Sequence, residues 1–238
     1  MTILRGVRRK MTYLQIKTGR ILRRKGVLFL FAKAAQKISA FAFKTSNSIW
    51  FEKRLDGSVA PAAPDTEISF EFLVQDKAKL IDWLKERRRV YPWMYLGKEM
   101  RTAWADQHIF AVILFGKSII GYCKIGRNRV YVNDFDGTVC FPRKTAFIYD
   151  TFVLPDFRGR HVAYLAVLQI AAYLSKQCYR NLWCHIEEWN GASLAVFRKA
   201  GFEKKGLIRY CRLCGFPFFI KDRFYPMTKL DRFIRQRN

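Results

Sequence analysis

The chain has 238 residues, half of them hydrophobic and 16% aromatic, and its 44 lysines and arginines against 19 acids leave a net charge of +25. That apolar content excludes a disordered chain, and the length holds one large domain or a medium domain with an appendage. A field of this size favours anionic partners: nucleic acid, anionic lipid, or a phosphorylated cofactor or substrate.

The charge is concentrated at the start. Residues 1–60 contain fourteen lysines and arginines and two acids, Glu52 and Asp56, a net of +12. From Gly26 to Lys44 apolar residues dominate, and Lys33, Gln36, Lys37 and Lys44 interrupt them at helical spacing. The spacing predicts an amphipathic helix, either packed on the main domain or lying on an anionic membrane surface. The run "GVLFLFA" (Gly26–Ala32) begins late and Lys33 and Lys37 follow it, so it does not read as a secretory signal. No stretch reaches the roughly 20 apolar residues of a membrane span. The expected location is cytoplasmic, with the basic segment offering peripheral attachment to the inner face of the membrane.

"SVAPAAPDT" (Ser58–Thr66) reads as a linker of prolines and small residues. The expected division is therefore a basic helical extension over 1–57, a linker over 58–66 and a folded domain over 67–238. The six cysteines lack the spacing of a disulfide framework and are expected to be reduced thiols. Cys211 and Cys214 form one C-x-x-C, but no second pair or spaced histidine completes four ligands, so no metal is expected.

Beyond the linker, "EISFEFLV" alternates as a strand and "DKAKLIDWLKERRR" carries apolar residues at helical spacing. A second helix is predicted over Leu96–Ala105. "IFAVILF", the turn "GK" and "SIIGYCKIG" form a hairpin of buried strands, with a further strand near Arg129–Val132 and a loop with edge strands up to Lys144. "AFIYDTFVL" is the next strand. It runs through Pro155, Arg158, Gly159 and Arg160 into a helix over Val162–Ser175 that is apolar almost all round, and such a helix is buried. "NLWCHIEEW" is another strand, and "GASLAVFRKAGF" a short helix stopped at Gly201. A last strand or hairpin runs from Gly206 to about Phe219.

A turn that joins a strand to a helix leaves backbone N–H groups free at the helix start, and the helix dipole makes that place suited to phosphate. Gly159 allows close backbone approach, and Arg158 and Arg160 add positive charge. Some thirty residues later comes "WNGASLAVFRKAGF", with Asn190, Ser193, Phe197 and Gly201-Phe202. The pair, in this order and spacing, resembles the GNAT superfamily of N-acetyltransferases: a strand, Pro-x-x-Arg-Gly-x-Gly-x-Gly/Ala opening a helix, another strand, then an Asn-x-x-Ser/Ala…Tyr/Phe-x-Lys-x-Gly-Phe helix. The likeness covers about Glu67–Phe219.

The resemblance implies an α/β (α+β) fold with a mixed, mostly antiparallel central sheet flanked by helices, and acetyl-CoA as co-substrate. It places the pyrophosphate against the backbone from Arg158 through Gly159, Arg160, His161 and Val162 to Ala163. Phe152, Val153 and Leu154 would offer backbone groups to the pantetheine arm. Asn190 would hydrogen-bond the arm or cap its helix, a role asparagine also suits. Two positions depart from the pattern. His161 stands where the family often has its second glycine, and Phe197 stands where many members have a tyrosine that protonates the leaving thiolate; Tyr210 or a water is the alternative acid. For the base, Asp150 is the acid on the motif strand, and His185 and Glu187 share a face of the next strand. A general base typically adds roughly 10²–10⁴-fold.

The function that follows is direct transfer of an acetyl group to an amine. The charge argues against a polybasic protein tail and for a small or membrane-proximal, anionic acceptor such as a phospho-sugar or glycolipid headgroup. The alternative is a catalytically weak module of the same fold that binds an anionic membrane or nucleic acid, through basic and aromatic residues such as Arg87–Arg89, Tyr91, Trp93 and Tyr95. No recognised nucleic-acid motif supports the last. Aminoacyl transfer from charged tRNA would suit the charge, but enzymes of that kind usually pair two such domains.

Overall fold

The computed structural model describes residues 43–55, 67–74, 78–87, 90–91, 108–132, 134, 137–213 and 216–221. Their elements run in the order β1 (Phe43–Arg54), β2 (Ile68–Leu73), α1 (Ala78–Arg87), β3 (Ile109–Phe115), β4 (Ser118–Arg127), β5 (Arg129–Val132), β6 (Gly137–Cys140), β7 (Thr145–Val153), α2 (Val162–Lys176), β8 (Asn181–Glu187), α3 (Gly191–Lys199), β9 (Glu203–Leu213) and β10 (Phe216–Lys221). The chain divides into two compact units. The larger takes in Ser46–Arg209 and Ile220–Asn238, the smaller Met1–Thr45 and Tyr210–Phe219.

In the larger unit the strand order is β9-β1-β8-β7-β4-β3-β2. The β1–β8, β2–β3, β3–β4 and β4–β7 pairs are antiparallel and β7–β8 is parallel. This is the mixed, mostly antiparallel sheet the motifs imply. β5 and β6 form a separate two-stranded ribbon. In the smaller unit the end of β9 lies beside β10.

The central strands are apolar because both faces of the sheet are covered. In β3, "IFAVILF", every residue but the last is buried. On one face α1 contributes Leu80, Trp83 and Leu84, spaced to fall on one side of a helix, against Phe110, Val112, Tyr122 and Phe152. The Trp83 indole N–H donates to the Ile119 carbonyl at 3.0 Å, so its one polar atom is satisfied. On the other face α2 buries Val162, Ala166, Val167, Ile170 and Leu174 against Cys123, Ile148, Cys184 and Ile186.

One boundary needs correction. The extension expected over 1–57 does not stop short of the domain: from Ser46 onward β1 is an interior strand of the sheet, between β9 and β8. Trp50 is fully buried and stacks on Phe147 at 5.3 Å. The Lys53 ammonium donates to the Ala200 carbonyl at 2.8 Å, capping the end of α3. The predicted helix Gly26–Lys44 is a strand from Phe43 on; its earlier part, the linker 58–66 and the predicted helix Leu96–Ala105 lie outside the described residues. No helix among the described residues is long and apolar enough to cross a membrane.

Candidate active site

The site is built by a fork in the sheet. The β7–β8 ladder runs only from Thr145–Asn181 to Ile148–Cys184. Beyond it β7 continues to Val153 on the β4 side, where Val153 is paired with Gly121 and the Leu154 N–H donates to the Ile120 carbonyl at 2.8 Å. β8 continues to Glu187 on the β1 side, where Glu187 is paired with Ser48. Each strand is thus held by its outer neighbour while the inner edges part. Gly121 lets β4 come this close, since a Cβ there would lie 2.5 Å from the Phe152 carbonyl oxygen. The register shifts between Lys124 and Ile125, which leaves Tyr149 as the extra residue of a bulge at the apex of the fork.

A cleft of about 760 Å³ opens from the fork between α2 and α3. Its floor at the β7 end is Thr151, Phe152 and Val153. Its mouth is the turn into α2, where Arg158, Gly159, His161, Val162 and Ala163 line it. The first intrahelical bond of α2 runs from Leu165 N–H to His161 C=O, so the amides of Val162, Ala163 and Tyr164 precede the first helical partner. Gly159 has φ +78° and open space where a Cβ would project. His161 has φ 60°, and its side chain makes no cap hydrogen bond. The left-handed backbone that favours glycine is therefore kept at the departing position, and histidine tolerates it better than most side chains. Arg158 folds back, its Nε–H donating to the Val153 carbonyl at 3.1 Å. Arg160 instead packs over Phe157, 5.7 Å from ring centre, and with Leu154 is not among the lining residues.

From the other wall, Asn190 and Phe197 line the cleft. The Asn190 Oδ1 accepts from the Ser193 N–H at 3.2 Å and so caps α3, a bond that does not engage its amide nitrogen. Phe197 is buried edge-on against Phe202 and carries no hydroxyl. Among the lining residues not anticipated as site residues from sequence are Thr151, Phe157, Tyr164, Trp189 and Lys199. Lys199 sits 4.9 Å over the Tyr164 ring, and Trp189 is 81% exposed. The signal for Trp189 was its position, directly before the motif asparagine.

The acid–base candidates lie elsewhere. Asp150, His185 and Glu187 do not line the cleft; they point to the α1 face of the sheet. The Asp150 Oδ2 is 2.9 Å from the Lys124 ammonium, which is fully buried, and accepts from the Tyr122 hydroxyl at 2.9 Å. Its first task is to neutralise Lys124. A buried pair broken on one side costs about 3–5 kcal/mol, so Asp150→Asn is expected to lower the thermal midpoint by many degrees, beyond any effect on turnover. An unchanged melting curve would return Asp150 to the list of simple bases. His185 stacks on Trp50 and Phe147, both at 5.4 Å, and its Nε2 is 2.8 Å from Asp134 Oδ2. Glu187 accepts from the Ser46 hydroxyl at 2.6 Å. Tyr210 is buried on β9 and belongs to the smaller unit.

The basic–aromatic stretch after α1 is in part used internally. The Arg87 guanidinium lies 4.2 Å over the Trp83 ring, and Tyr91 packs on Phe152 at 5.1 Å. Burial pushes the Cys123 thiol up to about 12 and the Cys184 thiol well above its usual value, so both stay protonated. The described cysteines are free, and no cluster of three metal-ligating side chains occurs among the described residues.

A strand fork that runs into a helix start has the shape and the exposed helical amides that suit an extended ligand ending in an anion. The acetyltransferase (GNAT) family model matches residues 78–202, from the first residue of α1 to just past α3. That is more than half of the chain, which belongs to the GNAT acetyltransferase family. No curated protein sequence matches it. Among solved structures, a GCN5-related N-acetyltransferase from Sphaerobacter thermophilus is 14% identical with a TM-score of 0.51, covering 77% of this chain and 56% of that one. A Drosophila protein is 15% identical (TM-score 0.49; 79% of this chain, 58% of that one). An aminoglycoside N-acetyltransferase in complex with CoA is 21% identical (TM-score 0.43; 60% of this chain, 91% of that one). The chain thus spans less than two thirds of the length of the first two.

Proposed function

We propose that the chain transfers an acetyl group from acetyl-CoA to an amine of a small or membrane-proximal, anionic acceptor. The observation that carries the reading is the cleft itself: a forked sheet edge leading to a helix start whose first residues line the same space as Gly159. The amides of Val162, Ala163 and Tyr164 and the backbone at Gly159 would take the pyrophosphate. The fork edge of Phe152 and Val153, with the Asn190 amide, would hold the arm. Leu154 is a less suitable partner, since its N–H already serves the β4 pairing.

The thioester would then lie toward the fork, and the acceptor amine would approach from the α1 face, where the carboxylates are. Positioning the two reactants supplies a substantial part of such catalysis. Of the three strand candidates, Glu187 suits proton acceptance best. Asp150 is committed to Lys124 and the His185 side chain is only 5% exposed, whereas Glu187 ends β8 beyond the ladder, next to the cleft residues Trp189 and Asn190. The net field of +25 supports an anionic body on the acceptor.

The test begins with calorimetric titration of acetyl-CoA, followed by release of free CoA thiol across a panel of phosphorylated and neutral amines. Saturable binding and amine-dependent release are expected. Glu187→Gln should retain binding and lose roughly 10²-fold or more in turnover. No saturable binding at any concentration would overturn the reading, and full activity of Glu187→Gln would remove that residue from the base role.

A further inference from the structure

The sequence puts the cleft's positive charge on the two arginines of the turn before α2. The structure ties down the first and takes the second out of the cleft. The Arg158 Nε–H donates to the Val153 carbonyl, and its guanidinium lies 5.7 Å from the centre of the Phe152 ring, at the β7 end. Arg160 packs over Phe157 and does not line the cleft. Besides Arg158, the one permanent charge among the described lining residues is Lys199, at the end of α3.

Three observations bear on what Lys199 does there. It lines the far end of the α3 wall from Asn190, about 13 Å along the helix at roughly 1.5 Å per residue. Between the two, Ala192, Ser193, Ala195 and Val196 line an uncharged stretch. Next, its ammonium rests 4.9 Å over the ring of Tyr164, which belongs to the first turn of α2. That contact reaches from α3 to α2 and holds the charge beside the free amides without neutralising it. Finally, the ammonium is not committed to the protein's own polar groups. Among the described residues no carboxylate forms an ion pair with it. The carbonyl end of α3 is served instead by Lys53, which donates to the Ala200 carbonyl at 2.8 Å.

We infer, resting on the reading of the cleft as an acetyl-CoA site, that Lys199 binds the ribose 3′-phosphate of coenzyme A and so makes the cleft prefer CoA to dephospho-CoA. A ligand held at one end by Asn190 and the fork, and in its middle by the α2 amides, brings its other end toward Lys199. In coenzyme A the diphosphate occupies the middle and the ribose 3′-monophosphate lies beyond it. The diphosphate suits the fixed amides of a helix start. The monophosphate lies outside that cradle and suits an ammonium, a compact point charge that needs no bidentate geometry. Lys199 is exposed, as a contact to a phosphate at the solvent edge of the cleft requires.

The test needs no acceptor. The full-length chain and the variants Lys199→Gln and Lys199→Arg are titrated calorimetrically with CoA and with dephospho-CoA, which lacks the 3′-phosphate, at low and at high salt. Melting curves of all three should coincide, because the substituted side chain is exposed. At low salt the native chain and Lys199→Arg should bind CoA about tenfold tighter than dephospho-CoA, and high salt should shrink that preference. Lys199→Gln should bind both ligands as the native chain binds dephospho-CoA. If Lys199→Gln weakens both ligands equally, the lysine serves the diphosphate or the cleft's shape, and the inference fails while the cleft stands. If Lys199→Gln keeps the full preference, or the native chain shows none, the 3′-phosphate is not held by Lys199 and the inference fails as well. If the native chain binds neither ligand, the acetyl-CoA reading itself falls.

Discussion

A chain that begins at Asp65 will not fold. The basic segment looks detachable from its composition, and a domain starting at the linker would be the natural guess. The interior position of β1 reverses that guess. Seven register pairs tie β1 to β8, from Ser48–Glu187 to Arg54–Asn181. Trp50 and Phe51 are buried at 0% and 1% exposure, and the Leu55 N–H donates to the Arg180 carbonyl at 2.8 Å. Removing the strand would open the β8 edge, which carries one side of the fork, and uncap α3 by taking away Lys53. Trp50→Ala alone is expected to cost about 3–5 kcal/mol, a large share of the 5–15 kcal/mol typical of a domain. The shortened chain should therefore aggregate or lack a cooperative melt by circular dichroism. A soluble fragment with a sharp transition would show that β1 is dispensable.

The second large effect is expected at the mouth of the cleft. Gly159→Val should abolish CoA binding, lowering affinity by roughly 100-fold or more. The backbone at Gly159 is left-handed, with φ +78° and no atom within 4 Å of where a Cβ would stand. Gly159 lines the cleft, so under the proposed reading a valine would project into the volume that phosphate would take. The same φ strains a β-branched residue, at a cost of about 1–3 kcal/mol, or it drives the turn into another conformation and misaligns the α2 amides. Both routes lose the anion site. Melting curves separate them, since strain lowers the midpoint and simple occlusion does not. Gly159→Val that binds CoA like the native chain would place the anion elsewhere.

The cleft's walls were legible in the sequence because each carries a local signal. The Arg-Gly turn and the apolar run after it announce α2, and the asparagine before "GASLAVFRKAGF" announces α3. The residue at 161 shows why the family pattern has glycine there: the backbone is left-handed and this chain accepts the strain with a histidine. What escaped is what depends on pairing. β1 was missed because an interior strand is covered on both faces, so "SNSIWFEK" shows no clean alternation, and the basic run before it suggested a surface helix. The fork, the bulge at Tyr149 and the place of Thr151 in the cleft wall follow from where the β7–β8 ladder stops, which no single segment records. Asp150 stood out as the one acid on the motif strand, yet its partner Lys124 lies on β4 and its meaning changes with that contact. The period of two did place His185 and Glu187 on one face; that this face is the α1 face, away from the cleft, needed the sheet order.

The claim that the fork and the α2 start form the acetyl-CoA site is tested most directly by amide hydrogen exchange with and without CoA. Saturating CoA should slow exchange over Arg158–Leu165, where the free helical amides would gain acceptors, and at Trp189–Asn190, with little change over β2 and β3. Exchange that is unaltered at Val162, Ala163 and Tyr164 under saturation, or slowed only on another surface, would contradict the assignment.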